Sequence, residues 1–152
     1  MHRRSLLLTA AAAGLVSACG GGPPGLAVVT VAATGAPGMN PGPDGADRPV
    51  TLSLLRLRDA GAFNSADYFA LQDDAAGVLA ADLVGMDQLA VAPGGSASKT
   101  LTFEPEATQL GVVASLRDPS GRIWRTATPI APGSTVTANV TLGPSGIGLQ
   151  LA

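Results

Sequence analysis

From residue 26 onward the chain is a succession of short apolar alternations punctuated by Gly, Pro, Asn and Asp, a pattern of strands joined by turns. Residues 26–33 are rich in Val and Thr and are bounded by Gly25 and Gly35. Val50, Leu52 and Leu54 alternate with Thr51 and Ser53; the apolar parity then passes to Leu55 and Leu57, which predicts a bulge or the end of that strand. Leu101 and Phe103 share one face of the segment 100–103. Leu110, Val112, Ala114 and Leu116 share a face of the next, opposite Gly111, Val113 and Ser115, and a strand apolar on both sides belongs in the middle of a sheet. Asp118-Pro119-Ser120-Gly121 fits a type I turn position by position and predicts a hairpin into 122–128. Val136, Ala138, Val140 and Leu142 alternate with Thr135, Thr137, Asn139 and Thr141; Gly143-Pro144-Ser145-Gly146 then turns the chain into a last strand through Ile147, Leu149 and Leu151.

One stretch breaks the rule. Tyr68, Leu71, Ala75, Val78, Leu79 and Leu83 recur close to helical spacing, with Ser65 placed to cap and Gly77 placed to break, so 65–83 predicts one or two short helices. Seven or eight strands with this small insertion make an all-β, two-sheet β-sandwich. Aromatics are scarce, so the core is expected to be Leu, Val and Ala around Phe63, Tyr68, Phe69, Phe103 and Trp124. Residues 111–114 and Trp124 read as core rather than as binding residues.

The start of the chain has another character. His2, Arg3 and Arg4 precede an apolar run, 6–16, of about 11 residues, too short to span a bilayer. Leu15-Val16-Ser17-Ala18-Cys19-Gly20 resembles a bacterial lipobox, in which the thiol is acylated and the chain is cut just before it. Residues 1–18 are therefore expected to be a signal peptide, 19–25 a tether from lipidated Cys19, and 26–152 the sandwich domain. A multiply acylated cysteine holds a protein at the membrane, each buried methylene contributing about 0.8 kcal/mol. Gly20 stands where an Asp would favour retention at the inner membrane in the enterobacterial sorting rule; resemblance to that rule points to the outer membrane and its periplasmic face. Arg3-Arg4-Ser5-Leu6-Leu7 resembles a minimal twin-arginine signal and equally fits two ordinary leader charges, so both export routes stay open. The Gly/Pro tether reaches only about 13 Å at 5–6 Å × √n.

Composition narrows the chemistry. The net charge of −2 offers no basic field for nucleic acid. The one histidine, His2, lies in the expected leader and the one cysteine is the lipid attachment point, so the mature chain lacks Ser-His-Asp and Cys-His catalysis and every His- or Cys-ligated metal site. No phosphate-binding glycine motif occurs. Asp73 and Asp74 diverge by about 100° on a helix, and Glu104 and Glu106 flank a proline near a strand end, so neither pair reads as an acid/base couple. No enzyme activity, cofactor, metal or small-molecule substrate is expected. Asn40, Asp44 and Asp47 form an oxygen-rich loop that lacks EF-hand spacing; calcium there competes with plain solvated turn residues.

That loop, 34–49, is long for joining neighbouring strands, and Pro37, Pro41 and Pro43 restrict it. Composition alone fits a pre-shaped contact surface and a floppy connection equally well. The order of motifs goes further: an acylatable Cys19, a first strand, Asn40-Pro41…Arg48-Pro49, a strand ending in Leu57, Phe63…Asp67-Tyr68…Leu71, Leu110-Gly111-Val112-Val113-Ala114, and Trp124-Arg125. This series resembles the type VI secretion lipoprotein family, TssJ (SciN), along essentially the whole mature chain. Leu55 departs from it, standing where the family often has an aromatic. The resemblance implies a transthyretin-like sandwich at the outer membrane that binds the periplasmic C-terminal region of TssM through the loop between strands 1 and 2. On matching positions, Asn40, Pro41, Asp44, Arg48 and Pro49 become the candidate contacts, and the segment 35–46 is expected to be replaceable by a tight turn without loss of the fold. The competing reading is a periplasmic sandwich that binds a cell-wall glycan or muropeptide.

Overall fold

The computed structural model describes residues 25–152; the expected leader, Cys19 and the tether as far as residue 24 lie outside the described residues. Eight strands form two four-stranded sheets. One has the order β4 (Ser96–Phe103), β1 (Ala27–Gly35), β7 (Thr135–Gly143), β8 (Gly146–Leu151); the other runs β3 (Leu83–Val91), β2 (Val50–Leu57), β5 (Gln109–Ala114), β6 (Arg125–Pro129). Every pair is antiparallel except β1 with β7. The sandwich read from the alternation is the fold observed.

Alternation decides which side chains meet. Val29 and Val31 of β1, Leu101 and Phe103 of β4, and Ala138, Val140 and Leu142 of β7 close on Val50, Leu52 and Leu54 of β2 and Leu110 and Val112 of β5. A second, smaller core lies on the outer face of the β2–β5 sheet, where Leu55, Leu57 and Val113 meet Phe63, Leu71 and Leu79. Those last three come from two helices, α1 (Gly61–Ser65) and α2 (Tyr68–Leu79). The parity change at Leu55 is therefore burial on a second face, and the pairing with β3 runs through it unbroken; the register slips only between Arg56 and Leu57. Gly111 of β5 has no side chain because Phe63 occupies the space: a Cβ there would meet the ring at 3.1 Å.

Several expectations shift in detail. Asp67, not Ser65, caps α2, accepting from the amides of Phe69 and Ala70 at 2.9 and 3.3 Å; the Ser65 hydroxyl donates back to the Gly61 carbonyl. The break in α2 falls at Asp74 (φ −153°), whose carboxylate accepts the Gly77 amide and restarts the helix. Phe69 is 66% exposed and is no core anchor, whereas Phe63 and Phe103 are fully buried. The turn near Asp118 closes one residue later, with the Arg122 amide on the Pro119 carbonyl and Gly121 at φ +67°. Its hairpin joins β5 to β6 as expected, though through the longer connection 115–124.

Strand β3 has no counterpart among the strands read from the alternation. Asp87 pairs with Leu54 and so lies on the inward face, where it meets Lys99 at 3.4 Å and Arg56 at 3.7 Å. Arg56 also approaches Glu104 at 3.5 Å, an ion pair without hydrogen-bond geometry, and donates to the Thr102 carbonyl. These inward charges line the side of the sandwich where the edge strands β3 and β4 face each other, a known defence against edge-to-edge pairing.

Strand directions give the sandwich two unlike ends. β1 leaves Gly25 beside Gly133 and beside the start of β7, and it runs to Gly35 at the far end. Its nine residues, at about 3.3 Å each, place about 30 Å between those ends. The connection 36–49 then crosses from one sheet to the other, since β1 and β2 are not neighbours. Its length is the span needed to pass over the end of the sandwich.

Candidate partner-binding site

The loop 36–49 is a folded unit. The Ala36 amide bonds to the Leu142 carbonyl, fixing the entry against β7. Asp47 then gathers the first limb, accepting the amides of Gly38 at 2.7 Å and Asn40 at 3.3 Å. Pro41 and Asp47 form a single antiparallel bridge, and the Arg48 amide returns to the Asn40 carbonyl at 2.8 Å. Between them Gly42-Pro43-Asp44-Gly45 closes as a β-turn, the Gly45 amide on the Gly42 carbonyl, with proline at the second position. The whole is a miniature hairpin.

Asp44 and Arg48 dress its tip. Arg48 Nη2 donates to both Asp44 oxygens at 3.1 and 3.0 Å, and its Nη1 donates to the Ala46 carbonyl. The Arg48 guanidinium, with the Ala46 amide second, lowers the Asp44 carboxyl below its usual range. Both side chains are largely exposed, so the pair contributes little to stability and leaves two opposite charges open to a partner. Pro49 is exposed and Pro41 half-buried.

Asn40 has a different place. It is only 6% exposed, it donates from Nδ2 to the Pro49 carbonyl, and it accepts the Arg117 amide at 2.9 Å. The residue binds the loop to the connection 115–124 instead of facing outward. Its neighbour Met39 is fully buried in the main core, and Arg122 Nη1 caps the Met39 carbonyl at 3.0 Å. Excising 35–46 would therefore remove a core side chain and a buried amide, against the expectation that this segment is dispensable to the fold. The loop's oxygens are also spoken for: Asp44 holds Arg48, Asp47 holds two amides, and Asn40 Oδ1 holds a third. A calcium ion would have to displace these donors.

Sequence reasoning missed the second half of this end of the molecule. Arg117, Arg122, Ile123 and Pro144 flank the loop, and nothing in the sequence pattern set them apart from ordinary turn and strand residues. Trp124 offers no open platform for a sugar. It packs against both cores, meets Tyr68 edge-on at 5.1 Å, and lies under the Arg125 guanidinium at 4.5 Å. Tyr68 is held in turn by its hydroxyl on the Leu116 carbonyl, and Arg125 by the carbonyls of Phe63 and Ala66.

Comparison with known proteins gives one family. The family model described as type VI secretion lipoprotein, VasD, EvfM, TssJ, VC_A0113 matches residues 27–145. The crystal structure of the type VI lipoprotein TssJ1 from Pseudomonas aeruginosa is 35% identical, covers 86% of this chain and 98% of its own, and superposes with a TM-score of 0.75. Lip of Serratia marcescens, a membrane bound component of the type VI secretion system, is 23% identical over 81% of this chain and 96% of its own, with a TM-score of 0.76. A chain in the structure of the TssM C-terminal domain from EAEC is 22% identical over 81% of this chain and 97% of its own, with a TM-score of 0.66. The last two bear on the fold alone. No curated protein matches the chain.

Proposed function

The chain belongs to the type VI secretion lipoprotein family, and from that premise we propose that it is a non-catalytic adaptor, fixed to the outer membrane through acylated Cys19 and gripping the periplasmic C-terminal region of TssM. One observation carries this reading: β1 starts at the tether and delivers the folded loop 36–49 to the opposite end, about 30 Å away. Lipid at one end would then put the Asp44–Arg48 tip at the end farthest from the membrane, where a protein arriving from the inner membrane first meets it. A load applied to the tip would pass into β1 along its hydrogen bonds to β4 and β7, the central part of its sheet.

The loop suits capture. Its hydrogen bonds are made before the partner arrives, so little conformational entropy remains to be lost on binding. The test is calorimetric titration of the mature acylated lipoprotein, in detergent, with the periplasmic region of the TssM protein of the same secretion system. The double variant Asp44→Ala/Arg48→Ala removes only exposed atoms and is expected to keep the fold while weakening binding at least tenfold. Unchanged affinity overturns the assignment of the loop. Cys19→Ser is expected to appear in the soluble periplasmic fraction, and its persistence in the outer membrane would overturn the lipid anchor.

A further inference from the structure

The far end of the sandwich carries an apolar feature that its own packing does not use. Ile123 is 57% exposed although its backbone is clamped on both sides: its amide bonds to the Ser145 carbonyl at 2.9 Å and its carbonyl takes the Ile147 amide at 2.8 Å. Together these form a parallel bridge to Gly146, which sits at φ +107°. A Cβ at Gly146 would press into the Ile123 backbone, so glycine is required for so close an approach. The main chain at Ile123 is thus rigid while its branched side chain faces water. Beside it lies an open groove of about 400 Å³, lined among others by Ala36, Leu142, Pro144 and Ile147.

This groove is continuous with the loop. Ala36 belongs to both, and the Pro144 ring lies so near Gly38 that a Cβ there would meet it at 3.0 Å. Asn40 and Met39 tie the loop to Arg117 and Arg122 on the other flank. Among the described residues no carboxylate lies within 4.0 Å of the Arg117 or Arg122 guanidinium. Asp118 and, for Arg117, Asp44 act on them only at longer range, and Arg122 already donates to the Met39 carbonyl, which leaves Arg117 the more available cation. An apolar groove on one flank of the loop, an exposed cation on the other and prior rigidity are the parts of an interface anchor.

We propose that the partner's footprint extends beyond the loop, with Ile123 and the groove beside it as its apolar anchor and Arg117 as its charged rim. The occupant is the same periplasmic region of TssM, so this inference rests on the function proposed above. That region would present an apolar side chain to the groove with a carboxylate flanking it. Two distinct segments of this chain, 36–49 and 117–123, then share one bound face, and the hydrogen bonds of Asn40 hold them in register.

The experiment titrates that TssM region into the mature acylated lipoprotein in detergent. Ile123→Asp is expected to lower affinity at least thirtyfold, whereas Met86→Asp, an exposed apolar residue on β3, should stay within twofold of the parent. Arg117→Glu should weaken binding and flatten its dependence on salt. Should Ile123→Asp impair folding, hydrogen exchange on the unsubstituted protein replaces it: the partner should slow exchange at 121–124 and 144–147. If Asp44→Ala/Arg48→Ala loses binding while Ile123→Asp retains it, or if those amides are unprotected, the extended footprint is wrong and the loop reading survives. Absence of any binding by the parent protein overturns both.

Discussion

Replacing Asn40 with Ala tests whether the loop is part of the domain or an appendage to it. The substitution removes two side-chain hydrogen bonds, to the Pro49 carbonyl at 3.3 Å and from the Arg117 amide at 2.9 Å, at a position only 6% exposed. Each bond is worth about 1 kcal/mol net, and a buried amide left unpaired costs about 1–3 kcal/mol. The longer bond counts for less, and water reaches part of the site, so the expected loss is about 2–3 kcal/mol. For a domain of this size that corresponds to a fall in Tm of roughly 10 °C. Urea unfolding in a Cys19→Ser background, followed by Trp124 fluorescence, measures it directly. The midpoint should drop with the slope unchanged. Affinity for the partner should fall as well, although Asn40 is almost wholly buried within the chain, because a loosened loop must be ordered on binding. A stability loss under about 0.5 kcal/mol would show that Asn40 does not join the two segments.

Other outcomes follow from the same geometry. Phe63→Ala should cost about 3–5 kcal/mol by opening a cavity in the smaller core, and limited proteolysis should then cut first within 58–82, whose helices pack on the sheet through that ring together with Leu71 and Leu79. Folding lowers the Asp44 carboxyl's affinity for protons, chiefly through the Arg48 guanidinium, so whatever this group adds to loop order is present above the ordinary aspartate range and is lost as pH falls through its lowered folded value. The carbon chemical shift of that carboxyl should accordingly titrate below that of a free aspartate, and Arg48→Ala should move it back up; an unmoved titration would contradict the pairing.

Much of the sandwich could be read from its letters because two-sided alternation is a direct print of the pleat. In β7 each buried Ala138, Val140 and Leu142 is separated by a Thr or Asn facing water, and nothing else in the sequence competes with that reading. Strand β3 escaped for a physical reason: the inward Asp87 is stabilised by Lys99 and Arg56 from other strands, so a position that should print as apolar prints as charged. Helix boundaries slipped because Ser65, Asp67 and Asp74 are all competent caps, and which one is used depends on where Phe63 and Leu71 find their pocket. The site was half legible. Asp44 and Arg48 stand out as an exposed pair four residues apart, but Asn40 looks the same in sequence whether it faces a partner or the Arg117 amide. Ile123 was invisible as a surface residue, since only its bridge to Gly146 shows that its neighbours turn inward without it.

Hydrogen exchange on the protein in outer-membrane vesicles, with and without the periplasmic region of TssM, tests the proposed adaptor role most directly. Slowed exchange confined to 36–49, 117–124 and 144–147, with Phe69 and the rest of the helical layer and the Gly25–Gly133 end unaffected, is the result expected of a two-ended tether. Protection centred on the helices, or beside the tether, would contradict it.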